Sequence, residues 1–131
     1  MSRREDLIAV ANTYLQEGLM DHDPDAVLFA EDCVRIEMGY ETGGNAAQLR
    51  ELLLHDALKA NKAMRDLAWV VEEPFVDVWY RLELHDVEEP LRISTRFHIV
   101  DGLIQRIEIL FDAGALQPGI IESLQELRTD L

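Results

Sequence analysis

The chain is short of positive charge. Twelve Lys and Arg stand against 26 Asp and Glu, a formal charge of −14 over 131 residues. Such a surface repels phosphate backbones and anionic lipid, so neither nucleic acid nor a membrane is expected as a partner. Cysteine is nearly absent: Cys33 stands alone, an intrachain disulfide is impossible, and a cytoplasmic, reducing setting is expected. No two of His22, His55, His85 and His98 have the spacing of metal ligands on one element, so no metal site is expected. A glycine-rich phosphate loop is missing too, because Gly43-Gly44 lacks the further glycine and the lysine; no cofactor is expected. No apolar run has the character of a signal peptide or a membrane span.

What is present suits a packed core. Apolar residues make up 48% of the chain, enough for one domain spanning 1–131. Ser2-Arg3-Arg4-Glu5 has the spacing of a capping box, and Leu7, Ile8, Ala11, Tyr14, Leu15 and Leu19 recur at helical steps to about Met20. Asp23-Pro24 predicts a short second helix to Phe29. Alternation over 33–38 predicts a strand, 39–44 a loop, and Asn45 with Gln48 a third helix with an apolar stripe reaching Ala60. Strands follow at 67–71, 75–85, 91–100 and 103–111, the last two joined by Asp101-Gly102, the dipeptide a type I′ turn favours. Pro118 starts a C-terminal helix over about 117–129. Helices first and sheet second is an α+β order.

That order, with Phe29-Ala30-Glu31-Asp32-Cys33-Val34 entering the first strand and Arg96 to Asp112 closing the sheet, resembles the nuclear transport factor 2-like superfamily. Its ketosteroid isomerase, SnoaL-like cyclase and limonene epoxide hydrolase branches are the nearest in kind. The resemblance implies a curved, mostly antiparallel sheet wrapped around the N-terminal helices. Tyr14 falls on the tyrosine that polarises a substrate oxygen in the isomerases, and Glu37 on their general base. Thr95 replaces the acid that completes their oxyanion hole. Of the hydrolases' acid–Arg–acid set only Asp77 matches; Phe75 and Ile109 stand at the other two positions.

Strand parity places Asp77 on one face with Phe75, Trp79, Arg81 and Glu83, opposite Val76, Val78, Tyr80, Leu82 and Leu84. An aspartate between two aromatics loses hydration, as an acid–base group near neutrality requires; the other reading is an ion pair with Arg81. Glu37 is either a second carboxylate in the cavity or the partner of Arg35. The expected pocket has Asp77, Glu37 and Tyr14 as its chemistry and Phe75, Trp79, Thr95, Phe97, Ile107, Ile109 and Phe111 as its walls. The ligand expected is a small apolar metabolite, acted on by an isomerase, cyclase or hydro-lyase, or held by a non-catalytic binding module. If Asp77 proves to be an ion-pair partner, the binding module is the reading favoured. A homodimer is expected through Ser94, Arg96, His98, Arg106 and Glu108, with Val76, Val78, Tyr80 and Leu82 as its apolar part.

Overall fold

A computed structural model gives residues 2–112, with Gly114, Pro118, Gly119, Glu122, Gln125 and Glu126. The helix expected over 117–129 lies largely outside the described residues. Helix α1, Arg3–Asn12, begins where the capping box places it: Ser2 Oγ accepts from the Glu5 amide at 3.1 Å. It continues into a π-helical segment, Thr13–Met20, so the helical run ends at the expected residue. Leu7, Ala11, Tyr14, Leu15 and Leu19 form its buried stripe.

After a 3₁₀ turn at Pro24–Ala26, strand β1 already runs over Phe29–Glu37, earlier than the alternation predicts. Met38 and Gly39, both at positive φ (51° and 83°), turn the chain into β2, Tyr40–Gly43. A loop was expected there. Helix α2, Ala46–Leu53, is capped by Asn45, whose Oδ1 accepts from the Gln48 amide at 2.9 Å. A 3₁₀ turn, Asp56–Ala60, leads to β3, Asn61–Glu72, and then β4, Phe75–Leu84, β5, Leu91–Val100, and β6, Leu103–Asp112. Asp101 and Gly102 take the positive φ values, 54° and 74°, that their dipeptide predicts.

The six strands form one curved mixed sheet in the order β2-β1-β6-β5-β4-β3. Only the β1–β6 pairing is parallel. The fold is α+β. Val76, Val78, Tyr80 and Leu82 of β4, Thr95 and Phe97 of β5, and Ile107, Ile109 and Phe111 of β6 are buried on the face that the helices cover. Register sets Asp77 opposite Arg96, Trp79 opposite Ser94, and Arg96 opposite Glu108 on the other, open face.

Two expectations are thereby corrected. Phe75, Asp77 and Trp79 do not share a face with Phe97 and Ile107; they belong with Ser94, Arg96 and His98. Nor can Val76, Val78, Tyr80 and Leu82 serve a subunit interface, since they are core, each no more than 6% exposed. The parity of β4 is as expected and only its direction is reversed. Turning the valines outward would forfeit about 1.5–3 kcal/mol for each side chain, and turning Asp77 inward would bury a charge. Among the described residues no helix is long and apolar enough to cross a membrane.

Candidate functional site

The covered face carries one polar cluster, centred on Arg35, whose guanidinium is only 2% exposed. Its Nε donates to Tyr14 Oη at 2.8 Å, Nη1 to Thr42 Oγ1 at 2.6 Å, and Nη2 to Glu37 Oε1 at 3.1 Å. Tyr14 is delivered by the π-helical segment, Arg35 and Glu37 by alternate positions of β1, and Thr42 by β2. Tyr14 and Glu37, placed together by the sequence, are therefore linked through a third residue. The sequence marks Arg35 only as a partner of Glu37. One signal could have ranked it higher, a tyrosine on the helical stripe able to face it; the alternation of β1 could not, since it sets Arg35 opposite Val34, Ile36 and Met38.

The surroundings are apolar. The Tyr14 ring meets Phe97 edge-on at 5.7 Å and Phe29 at 6.4 Å. Thr95, two residues from Phe97 on the same face, is wholly buried, and its Oγ1 has no hydrogen-bond partner among the described residues. The Tyr80 hydroxyl acts on Thr95, an interaction that opposes the rise of the Tyr80 phenol but does not meet hydrogen-bond distance and angle. Glu37, at 14% side-chain exposure, is the part of the cluster that solvent reaches.

Electrostatics follow from burial. Desolvation pushes the Tyr14 phenol above its ordinary value; Arg35 opposes that and Glu37 adds to it. Desolvation likewise raises Tyr80, with Tyr14 adding. For Arg35, burial disfavours the charge, but Glu37 and Tyr14 outweigh it and hold the guanidinium protonated. The cluster is thus a compensated ion pair bordered by neutral hydroxyls. Tyr14 accepts from Arg35, which leaves its own proton unspent among the described residues.

The remaining expected residues lie elsewhere. Asp77 forms a bidentate pair with Arg96, Oδ1 to Nε at 2.8 Å and Oδ2 to Nη2 at 3.0 Å, in place of the Arg81 pairing considered from sequence. The Arg96 guanidinium also lies 4.9 Å over the Phe75 ring. Trp79 is 46% exposed and Leu110 63%. They border a trough of about 550 Å³ that also takes in Asp77, Arg96, Arg106 and Glu108. Among the described residues no group of His, Cys, Asp and Glu is arranged to hold a metal ion.

A family described as a domain of unknown function (DUF8021) matches residues 1–111. The chain belongs to that family. No curated protein matches it. Three solved structures show what this DUF8021 chain is similar to in fold. A de novo designed protein with a curved β-sheet superposes with a TM-score of 0.78 at 16% identity, covering 100% of both chains. An LEH-like epoxide hydrolase from M. tuberculosis gives 0.69 at 16%, covering 99% of this chain and 100% of that one. A protein from Sinorhizobium meliloti, provisionally named a polyketide cyclase, gives 0.66 at 24%, covering 82% and 99%. The DUF8021 chain has the nuclear transport factor 2-like fold.

Proposed function

We propose that this chain binds a small, largely apolar molecule whose one polar oxygen meets the Tyr14 and Thr95 hydroxyls. The observation that carries the reading is Thr95 Oγ1, buried and, among the described residues, with no hydrogen bond of full geometry. Leaving a buried hydroxyl unsatisfied costs about 1–3 kcal/mol, and a ligand oxygen would recover that. Phe97, Ile107, Ile109 and Phe111 supply apolar walls. The ion pair compensates its own charge, so the ligand is neutral.

A panel of neutral ketones and their hydrocarbon isosteres, cyclohexanone with methylenecyclohexane among them, tests this. Binding is read from the methyl resonances of Ile107 and Ile109. Ketones should bind more tightly than isosteres, and Thr95→Val should reduce that preference about tenfold, the equivalent of one hydrogen bond. A preference absent in the parent protein, or untouched in Thr95→Val, would end the reading.

One observation favours chemistry at the same place. Glu37 is a carboxylate that solvent reaches beside the unspent Tyr14 proton. In this second reading Glu37 moves a proton on carbon while Tyr14 polarises the neighbouring oxygen, in a cofactor-independent isomerase, cyclase or hydro-lyase. Deuterium exchange next to the carbonyl of a bound ketone, lost in Glu37→Gln, would support it. Binding without exchange would leave the module non-catalytic, the reading that the Asp77–Arg96 pair favours. We place the protein in the cytoplasm as a homodimer, paired through the open face around Trp79 and Leu110.

A further inference from the structure

We propose that Arg35 is a positioning residue, whose three-way fork aims the Tyr14 proton into the binding site and holds Glu37 beside it. The inference rests on the binding reading above, and it goes beyond it by naming what orients the two groups. A phenolic proton lies close to the ring plane and has two settings there. An oxygen that accepts from a guanidinium N–H cannot also point its proton at that cation, so Arg35 occupies one setting and leaves the other to a ligand. Each of its three nitrogens is used: Nε on Tyr14 from the helix, Nη1 on Thr42 from β2, and Nη2 on Glu37 from its own strand. The planar fork fixes these acceptors relative to one another, which the single nitrogen of a lysine cannot do.

Packing alone does not account for this residue. Replacing a buried ion pair with apolar side chains of similar volume is often neutral or stabilising, so a buried arginine is weak evidence of a structural need. Among the described residues, Arg35 is moreover the cation that acts on the Tyr14 phenol. The other ionisable groups that act on it are Glu37 and Cys33 of β1, and Tyr80 of β4.

The test places a fluorinated tyrosine at position 14 of the full chain, bringing the phenol into a range where the protein is folded, and follows its titration by ¹⁹F NMR. Arg35→Met should move the midpoint upward by about 1–3 pH units, because the charge favouring the phenolate is removed. Glu37→Gln should move it downward. The paired variant Arg35→Met/Glu37→Gln, which leaves no unpaired charge, guards against a fold lost in the single variant and should still move it upward. An arginine that holds the core together without being held against the phenol gives the opposite sign: its loss hydrates the phenol and lowers the midpoint. A fall or no change in both arginine variants overturns the proposal. No ligand is needed for this measurement, so it stands apart from the ketone preference, whose failure would remove the binding reading alone.

Discussion

Cys33 sits in the core at 0% exposure, and burial, with Asp32 adding, pushes its thiol from 9.0 up to about 12. A thiol so protonated and so covered is a poor nucleophile. Iodoacetamide at pH 8 should leave the folded protein unmodified and label it fully in denaturant; rapid labelling of the folded form would contradict the burial. The linkage has a definite sign. A raised folded-state value means the folded chain keeps a proton that the unfolded chain releases. The thiol's contribution is complete below the unfolded value, 9.0, and is lost as pH rises toward about 12. Tyr14 and Tyr80, also raised, act in the same direction from 10.0 upward. Chemical denaturation should therefore show stability falling steadily above pH 9, with Cys33→Ala flattening the first part of the fall. Of the expected residues, Tyr14 lies on the helical stripe that the periodicity marks, whereas the inward setting of Glu37 came only with the family resemblance, since alternation puts it opposite Val34, Ile36 and Met38. Asp77 misled because parity separates two faces without saying which one the helices cover.

At the scale of elements, β2 is pinned to α2 at Gly43. A Cβ there would stand 2.3 Å from Leu49 Cδ2 and 3.1 Å from its Cγ. Leu49 is 1% exposed and can yield little. Gly43→Ala should cost about 1–3 kcal/mol by overpacking, measured by urea denaturation. A loss under about 0.5 kcal/mol, the range of an ordinary surface change, would show that Leu49 moves aside freely. The two elements least visible in the sequence, β2 and the first half of β3, are the two edges of the sheet. Edge strands lack a neighbour on one side, and the residues of β3 are mostly exposed or half-buried, so no apolar alternation marks them. The β1–β2 turn was hidden for another reason: Met38 adopts positive φ without belonging to the residue types that announce it.

For the whole molecule, the open face is where the proposed homodimer would pair. Trp79 and Leu110 are exposed in mid-strand, at 46% and 63%, and are ringed by the Asp77–Arg96 and Arg106–Glu108 pairs. A central apolar anchor within a polar rim is the anatomy of an interface. Sedimentation at micromolar concentration should show a dimer. Trp79→Asp should weaken it about a hundredfold or more, in keeping with loss of an aromatic hot spot of at least about 2–3 kcal/mol. The same substitution should leave the monomer folded, because the ring contributes little to the core. A monomeric parent protein, or a Trp79→Asp dimer of unchanged affinity, would remove the homodimer.

Local chemistry settled what depends on neighbours along the chain. The capping serine, the helical stripe to Met20, the Asp101-Gly102 turn and the alternation of β4 to β6 all follow from side chains a few positions apart, where period and turn geometry act directly. The shortage of basic charge and the lack of a second cysteine were likewise set by composition. The tertiary structure decided which way each strand faces, because inward and outward orientations share one parity and differ only in the apolar area that the helices bury. It also assembled the Arg35 fork, whose acceptors come from the first helical run, β1 and β2 and meet only when the sheet closes over the helices.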